Sequence, residues 1–214
     1  MEQMAEWETI MVGKINTVIF DIGKVLVGYS WRDLFDRVFK GKEGAQELRT
    51  ILFEGDRLWD EVDRGAIPID EVIATIISKA PRLEKEIMEF MNNLGTMLWQ
   101  YEHSKPWING LKERGYRTLF LSNYSHFLIE QNRECLDFLP LLDGGIFSCD
   151  VHLIKPDHRI YEALIEKYQL EPSKCVFIDD KPENIKGAIE CGLNGIVMTD
   201  FDSTNAKLEE LLAQ

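Results

Sequence analysis

The chain is poor in positive charge: 24 lysines and arginines face 37 aspartates and glutamates, for a formal net charge of -13. A surface of that sign repels nucleic acid and anionic membranes, which excludes non-specific binding to either as an expected function. An anionic substrate therefore needs a cation placed locally. Cysteine is scarce: Cys135, Cys149, Cys175 and Cys191 show no CxxC spacing. A chain of 214 residues buries a sizeable core without disulfide staples, so the four read as small core residues of a reducing compartment. The acidic amino-terminal segment, residues 1–9, has no uninterrupted apolar run, which argues against a secretory signal or membrane span and makes the cytoplasm the expected location. Internal repeats, low-complexity tracts and Pro/Gly-rich linkers are missing too. The histidines His103, His126, His152 and His158 lack metal-ligand spacing and have no serine or cysteine nucleophile motif to pair with, and none receives a role.

What is there is an alternation of short apolar runs and amphipathic segments. Residues 15–20 read as a first strand, after which the chain reads as helix to about residue 104, with no second strand evident. Segments 31–39, 44–53, 70–77 and 83–91 carry apolar residues at three-and-four spacing, as amphipathic helices do. Beyond Pro106 the pattern predicts helix 106–114, strand 117–121, helix 125–135, strand 146–148, helix 158–167, strand 175–178, helix 183–190, strand 195–198 and helix 204–213. Gly115 and Gly192 stand as helix stops. The expected fold is α/β, a doubly wound parallel sheet with Rossmann-like topology and an inserted helical cap. Residues 1–28 and 105–214 would form the core and 29–104 the cap.

Four apolar runs end in groups suited to phosphate chemistry: Val18–Asp21, Leu119–Ser122–Asn123, Ile154–Lys155–Pro156 and Val176–Asp179–Asp180. Open α/β sheets bind ligands at the carboxyl ends of their strands, so the four endings point to one assembled site. Asp21 is placed to attack phosphorus, Gly23 permitting a tight turn beside it, although a strand-end aspartate also serves simply to bind a loop. Asp179 and Asp180 repel one another unless a cation stands between them, and Mg2+ fits as a hard, oxygen-seeking ion. Asp180 with Glu183 also has capping-box spacing. Ser122 and Asn123 read either as caps of the helix that starts at Ser125 or as part of an anion site at its first turn. Lys155 is the cation that an acidic protein would offer to phosphate or to Asp21. Between helices, residues 59–67 include a glycine turn that presents Asp63 or Arg64 toward the core, or is a plain surface turn.

In order and content the four motifs resemble those of the haloacid dehalogenase superfamily, in its phosphatase branch. The resemblance spans essentially the whole chain, and the form Asp21-Ile-Gly23-Lys-Val-Leu is similar to that of glucose-1-phosphate phosphatases and of the phosphatase domain of soluble epoxide hydrolases. It implies Asp21 as nucleophile, Ser122 and Asn123 as phosphoryl-binding residues, and Lys155 as the group that neutralises nucleophile and phosphate. It implies Mg2+ held by Asp21, the Gly23 backbone carbonyl and the fourth-motif acids, with Asp180 ranked ahead of Asp179. The expected activity is Mg2+-dependent hydrolysis of a small phosphorylated metabolite, a sugar phosphate first. One departure stands out: Gly23 occupies the position where most phosphatases of this kind carry a second aspartate as general acid and base. That departure keeps two other readings open, a metal-independent dehalogenase and a catalytically impaired chain that binds a phosphorylated ligand or a protein.

Overall fold

The computed structural model describes residues 14–53 and 58–214; the expectations for residues 1–13 and 54–57 lie outside them. Five strands form one parallel sheet: β1 (Thr17–Phe20), β4 (Arg117–Ser122), β5 (Gly145–Phe147), β6 (Cys175–Asp179) and β7 (Asn194–Val197), in the order β5-β4-β1-β6-β7. Burial on both faces explains the unbroken apolar runs. Val18 and Phe20 of β1 point into one cluster with Val176 and Ile178 of β6, whereas Ile19 joins Leu119, Leu121 and Phe177 on the opposite face. The chain leaves β1 toward β4 and β5, then crosses back to β6 and β7. Strand order thus reverses around β1, and the crevice at its carboxyl end is the place where such sheets take ligands.

Helices α6 (Ser104–Glu113), α9 (His158–Tyr168), α10 (Pro182–Glu190) and α11 (Phe201–Leu212) cover the sheet, close to the predicted spans. Helix α7 (His126–Gln131) is shorter than the 125–135 expected, and the single turn α8 (Ser148–Val151) was not anticipated. Two strands also escaped the sequence reading. Strands β2 (Val27–Tyr29) and β3 (Leu98–Gln100) pair antiparallel, with Gly28 opposite Trp99. A Cβ on Gly28 would stand 2.3 Å from the Trp99 ring, so this crossing requires glycine. The ribbon ties together both ends of a helical insertion: α1 (Trp31–Phe39), α2 (Ala45–Phe53), α3 (Leu58–Asp63), α4 (Ile69–Lys79) and α5 (Glu84–Asn92). Its apolar faces meet each other rather than the sheet, in a separate cluster built on Phe35, Phe39, Val72, Ile87 and Phe90. The Ser30 hydroxyl caps α1 by accepting from the Asp33 amide.

No helix among the described residues is long and apolar enough to cross a membrane. The four cysteines are free thiols; Cys149 and Cys175 are buried, while Cys135 and Cys191 are only partly so.

Candidate active site

The four strand-end motifs converge. Asp21 sits one residue past β1, held to the edge of β6 by its amide, which donates to the Ile178 carbonyl (2.8 Å). Three donors reach its Oδ1: the Ile22 amide (2.7 Å), the Ser122 hydroxyl (2.7 Å) and Lys155 Nζ (2.9 Å). That convergence leaves Oδ2 as the less encumbered oxygen of a carboxylate that lines the cavity. Lys155 Nζ also donates to Asp179 Oδ2 (2.6 Å) and to the Leu121 carbonyl (2.9 Å), so the ammonium is fully coordinated while 1% exposed. Asp179 is further held by the Lys181 amide (2.8 Å) and by Asn184 Nδ2 (2.9 Å). Asn123 does not cap a helix: its side chain accepts from the Lys155 amide (2.8 Å) and donates to the Lys155 carbonyl (3.0 Å). It fixes the loop that carries the lysine. The cap of α7 is Ser125, whose hydroxyl accepts from the Leu128 amide.

Charge and burial are in tension here. Burial pushes the Asp21 carboxyl up to about 6, Lys155 acting against it and Asp179 with it. Burial also works against the Lys155 charge, but the Asp21 and Asp179 carboxylates overcome it and hold the ammonium above the ordinary lysine range. Asp180 is raised by burial and by its neighbour Asp179. Carboxylate oxygens of Asp21, Asp179 and Asp180 lie within 4.8 Å of one another, three acids around one lysine. The surplus negative charge and the hard oxygen donors suit Mg2+. Asp179 has both oxygens engaged by protein donors, whereas Asp180 is partly exposed and lines the cavity. The expected capping box is not formed: α10 starts at Pro182 with Lys181 as its cap, and it is Asp179, not Asp180, whose carboxylate accepts from the Lys181 amide.

The helical insertion roofs this floor and encloses a cavity of about 300 Å³. Residues 59–67 are not a free surface turn. Gly65, at φ +67°, packs so closely on α8 that a Cβ would stand 2.9 Å from the Cys149 carbonyl oxygen. The Ser148 hydroxyl donates to the Asp63 carbonyl and His152 Nδ1 donates to the Arg64 carbonyl (3.1 Å). Asp63 thereby lines the same cavity as Asp21. Burial, then the nearby Asp60 carboxylate, push its carboxyl up to about 7, with Lys181 opposing. At position 23 the glycine is backed by the Tyr29 ring, 3.3 Å from where a Cβ would stand. Lys24 pins that ring: it adopts φ +62°, donates to the Tyr29 carbonyl (2.7 Å) and lies 4.3 Å over the ring centre. Trp31 stacks on Phe53 (centroids 3.8 Å apart) and also lines the cavity. Sequence reasoning missed Phe53, Met97 and Leu98 as site residues, since nothing local distinguishes them from ordinary core positions.

A cluster of strand-end acids and one lysine, at the switch point of a doubly wound sheet and under a helical roof, defines a capped α/β enzyme. The chain belongs to the haloacid dehalogenase-like hydrolase family, whose model matches residues 15–192. Among its relatives, flavin mononucleotide hydrolase 1 of Arabidopsis thaliana is 39% identical over 201 residues, covering 92% of this chain and 78% of that protein. A sesquiterpene phosphatase of Aspergillus oryzae is 25% identical over 202 residues, covering 94% and 99%. A family enzyme of Bacteroides thetaiotaomicron, solved with magnesium and inorganic phosphate, shares the fold with a TM-score of 0.72 at 20% identity, covering 88% of this chain and 98% of that one.

Proposed function

We propose that this hydrolase is a Mg2+-dependent phosphatase acting on a small phosphorylated metabolite, with residues 29–104 serving as the cap. The observation that carries the reading is the three-donor grip on Asp21 Oδ1 beside a surplus of carboxylate charge. Phosphatase relatives support it as well. Asp21 Oδ2 attacks phosphorus and forms an aspartyl-phosphate as the ester oxygen departs; water then attacks that phosphorus and releases inorganic phosphate. Ser122 orients the nucleophile and the transferring group. Lys155 keeps Asp21 ionised and offsets phosphate charge. Asp180, Asp21 and the Gly23 carbonyl would hold Mg2+, with Asp179 holding Lys155 and Asn184 in place behind them. When bound, the ion supplies charge neutralisation for the phosphoryl oxygens.

Gly23 supplies no proton donor; of the two cap carboxylates among the described residues that line the cavity, Asp60 and Asp63, it is Asp63 whose carboxyl is pushed up to about 7. A carboxyl titrating near 7 holds its proton in weakly acidic solution, gives it to the departing oxygen and recovers it from the attacking water. Asp63→Asn is expected to lower kcat/KM, which reports formation of the aspartyl-phosphate, about 10²- to 10⁴-fold for alkyl phosphates and to spare kcat/KM for p-nitrophenyl phosphate, whose leaving group needs no proton. The sign of the pH effect follows from the raised value: the acid is active below about 7, so wild-type activity on alkyl esters falls as pH rises through 7. The variant should lose that limb. Equal losses of kcat/KM on both ester types would rule the role out.

A sugar phosphate, and a sugar 1-phosphate above all, remains a substrate class to assay, because a less basic leaving oxygen suits a site without an acid at position 23. Malachite-green phosphate release with Mg2+ and with excess chelator tests the activity. Release in Mg2+ that chelator removes and Mg2+ restores is expected. Turnover of a haloacid that survives chelator would return the dehalogenase reading.

A further inference from the structure

The cavity is divided by polarity along the same line that divides core from cap. Its floor is Asp21, Ser122, Lys155 and Asp180, already occupied with phosphate and metal chemistry. Its opposite wall is Trp31, Phe53, Trp59, Leu94, Met97 and Leu98. The Trp59 indole N–H donates to the Leu52 carbonyl (2.6 Å), so the ring's single polar atom is engaged by the protein and the rest is hydrocarbon. Trp31 and Phe53 stack on one another and fix each other's planes. Among the described cap residues, Asp60 and Asp63 bring carboxylates to the cavity and Tyr29 a phenol, while the core adds Asn123, Tyr124, Lys181 and Asn184 beside the phosphate floor. A sugar seated against the Trp31–Phe53–Trp59 side would press hydroxyls on apolar wall, and each one stripped of water without a partner weakens binding by about one to two orders of magnitude. Planar rings suit such a wall, since aromatic faces and a methionine thioether both favour stacked or edge contacts with them. A volume of about 300 Å³ accommodates a compact ring system rather than a long chain.

We propose that the leaving group of the natural substrate is apolar and ring-bearing, seated on the Trp31–Phe53–Trp59 wall while its phosphate lies on the Asp21–Lys155 floor. This rests on the phosphatase reading and names its substrate class. The comparison that tests it holds leaving-oxygen basicity nearly constant: ethyl, 2-phenylethyl and 2-(1-naphthyl)ethyl phosphate against glucose 6-phosphate, all with Mg2+, and p-nitrophenyl phosphate as a check that the enzyme turns over. From the apolar area buried, kcat/KM for the naphthyl ester is expected to exceed that for ethyl phosphate about 10²-fold, mostly through KM, and to exceed glucose 6-phosphate by at least as much. Trp31→Ala should shrink the naphthyl-to-ethyl ratio about tenfold. Glucose 6-phosphate matching or beating the naphthyl ester overturns the proposal and leaves the phosphatase standing. A protein silent on every ester overturns the phosphatase reading instead, and calorimetry then decides the present point. Tighter binding of 2-(1-naphthyl)ethylphosphonate than of ethylphosphonate by about 10²-fold, with a negative heat-capacity change, supports the apolar seat; equal affinities refute it.

Discussion

Asp21→Asn is expected to reduce phosphate release by roughly 10⁶-fold, the scale on which nucleophile loss is felt elsewhere, and to make the metal-free protein more stable at pH 7.5. Both effects come from one geometry. An amide cannot form the acyl-phosphate, and no neighbouring carboxylate substitutes for it, since Asp179 is engaged by Lys155, Asn184 and the Lys181 amide. The stability gain follows from the sign of the shift. A carboxyl that moves from 3.8 to about 6 on folding contributes stability that is complete below 3.8 and is lost as pH rises through 6. At pH 7.5 without metal, the ionised Asp21 therefore costs the fold about 3 kcal/mol, which the neutral asparagine removes. Thermal melts in chelator should put the variant above wild type at pH 7.5, with the gap closing by pH 4. Saturating Mg2+ should favour wild type, which keeps the ligand. Wild type melting higher than the variant at pH 7.5 in chelator would contradict this account, as would turnover within a hundredfold of wild type.

Much of this site was legible because its parts are local to strand ends. Val18–Asp21 and Val176–Asp179 are apolar runs buried on both faces, and each stops where the crevice opens, so the sequence marks strand and chemistry together. Short elements were illegible for a physical reason. Three residues of β2 and three of β3 do not complete a period-two pattern, and their pairing depends on Gly28 meeting Trp99 from 71 residues away. The Asp180–Glu183 spacing misled because α10 starts at Pro182, which gives the cap position to Lys181 and leaves Asp180 outside it. The cavity wall was hidden in another way. Trp31 and Phe53 read as the buried stripe of amphipathic helices, Trp59 falls in the turn segment 59–67 and Met97 in no motif, and only closure of the cap over the sheet separates residues facing the cavity from those facing Phe90. Asp63 was noticed for its glycine turn, but which of Asp63 and Arg64 enters the cavity depends on how Gly65 docks on Cys149.

Lys155→Met should produce the largest stability loss of any single change in the site, together with loss of turnover. The ammonium lies 2.9 Å from Asp21 and 2.6 Å from Asp179, with side-chain exposures of 1%, 11% and 0% for the three residues. Methionine fills the volume but leaves two buried carboxylates facing each other without a cation. Removing one partner of such a buried group costs about 3–5 kcal/mol, or roughly 10 °C in melting temperature for a chain of this size. The protein answers by protonating one of the acids, which raises Asp21 further and deprives it of nucleophilic charge at neutral pH. Stability and activity therefore fall through the same charge, and a second substitution separates them. Lys155→Met combined with Asp179→Asn removes one of the unpaired acids, and much of the melting temperature should return, because Asp21 retains the Ile22 amide and the Ser122 hydroxyl. Activity should not return, since no cation then faces the nucleophile and phosphate. Recovery of turnover in the double variant would show that Lys155 acts only as a structural counter-ion to Asp179. A single variant melting within a degree or two of wild type would show that the buried acids do not depend on it.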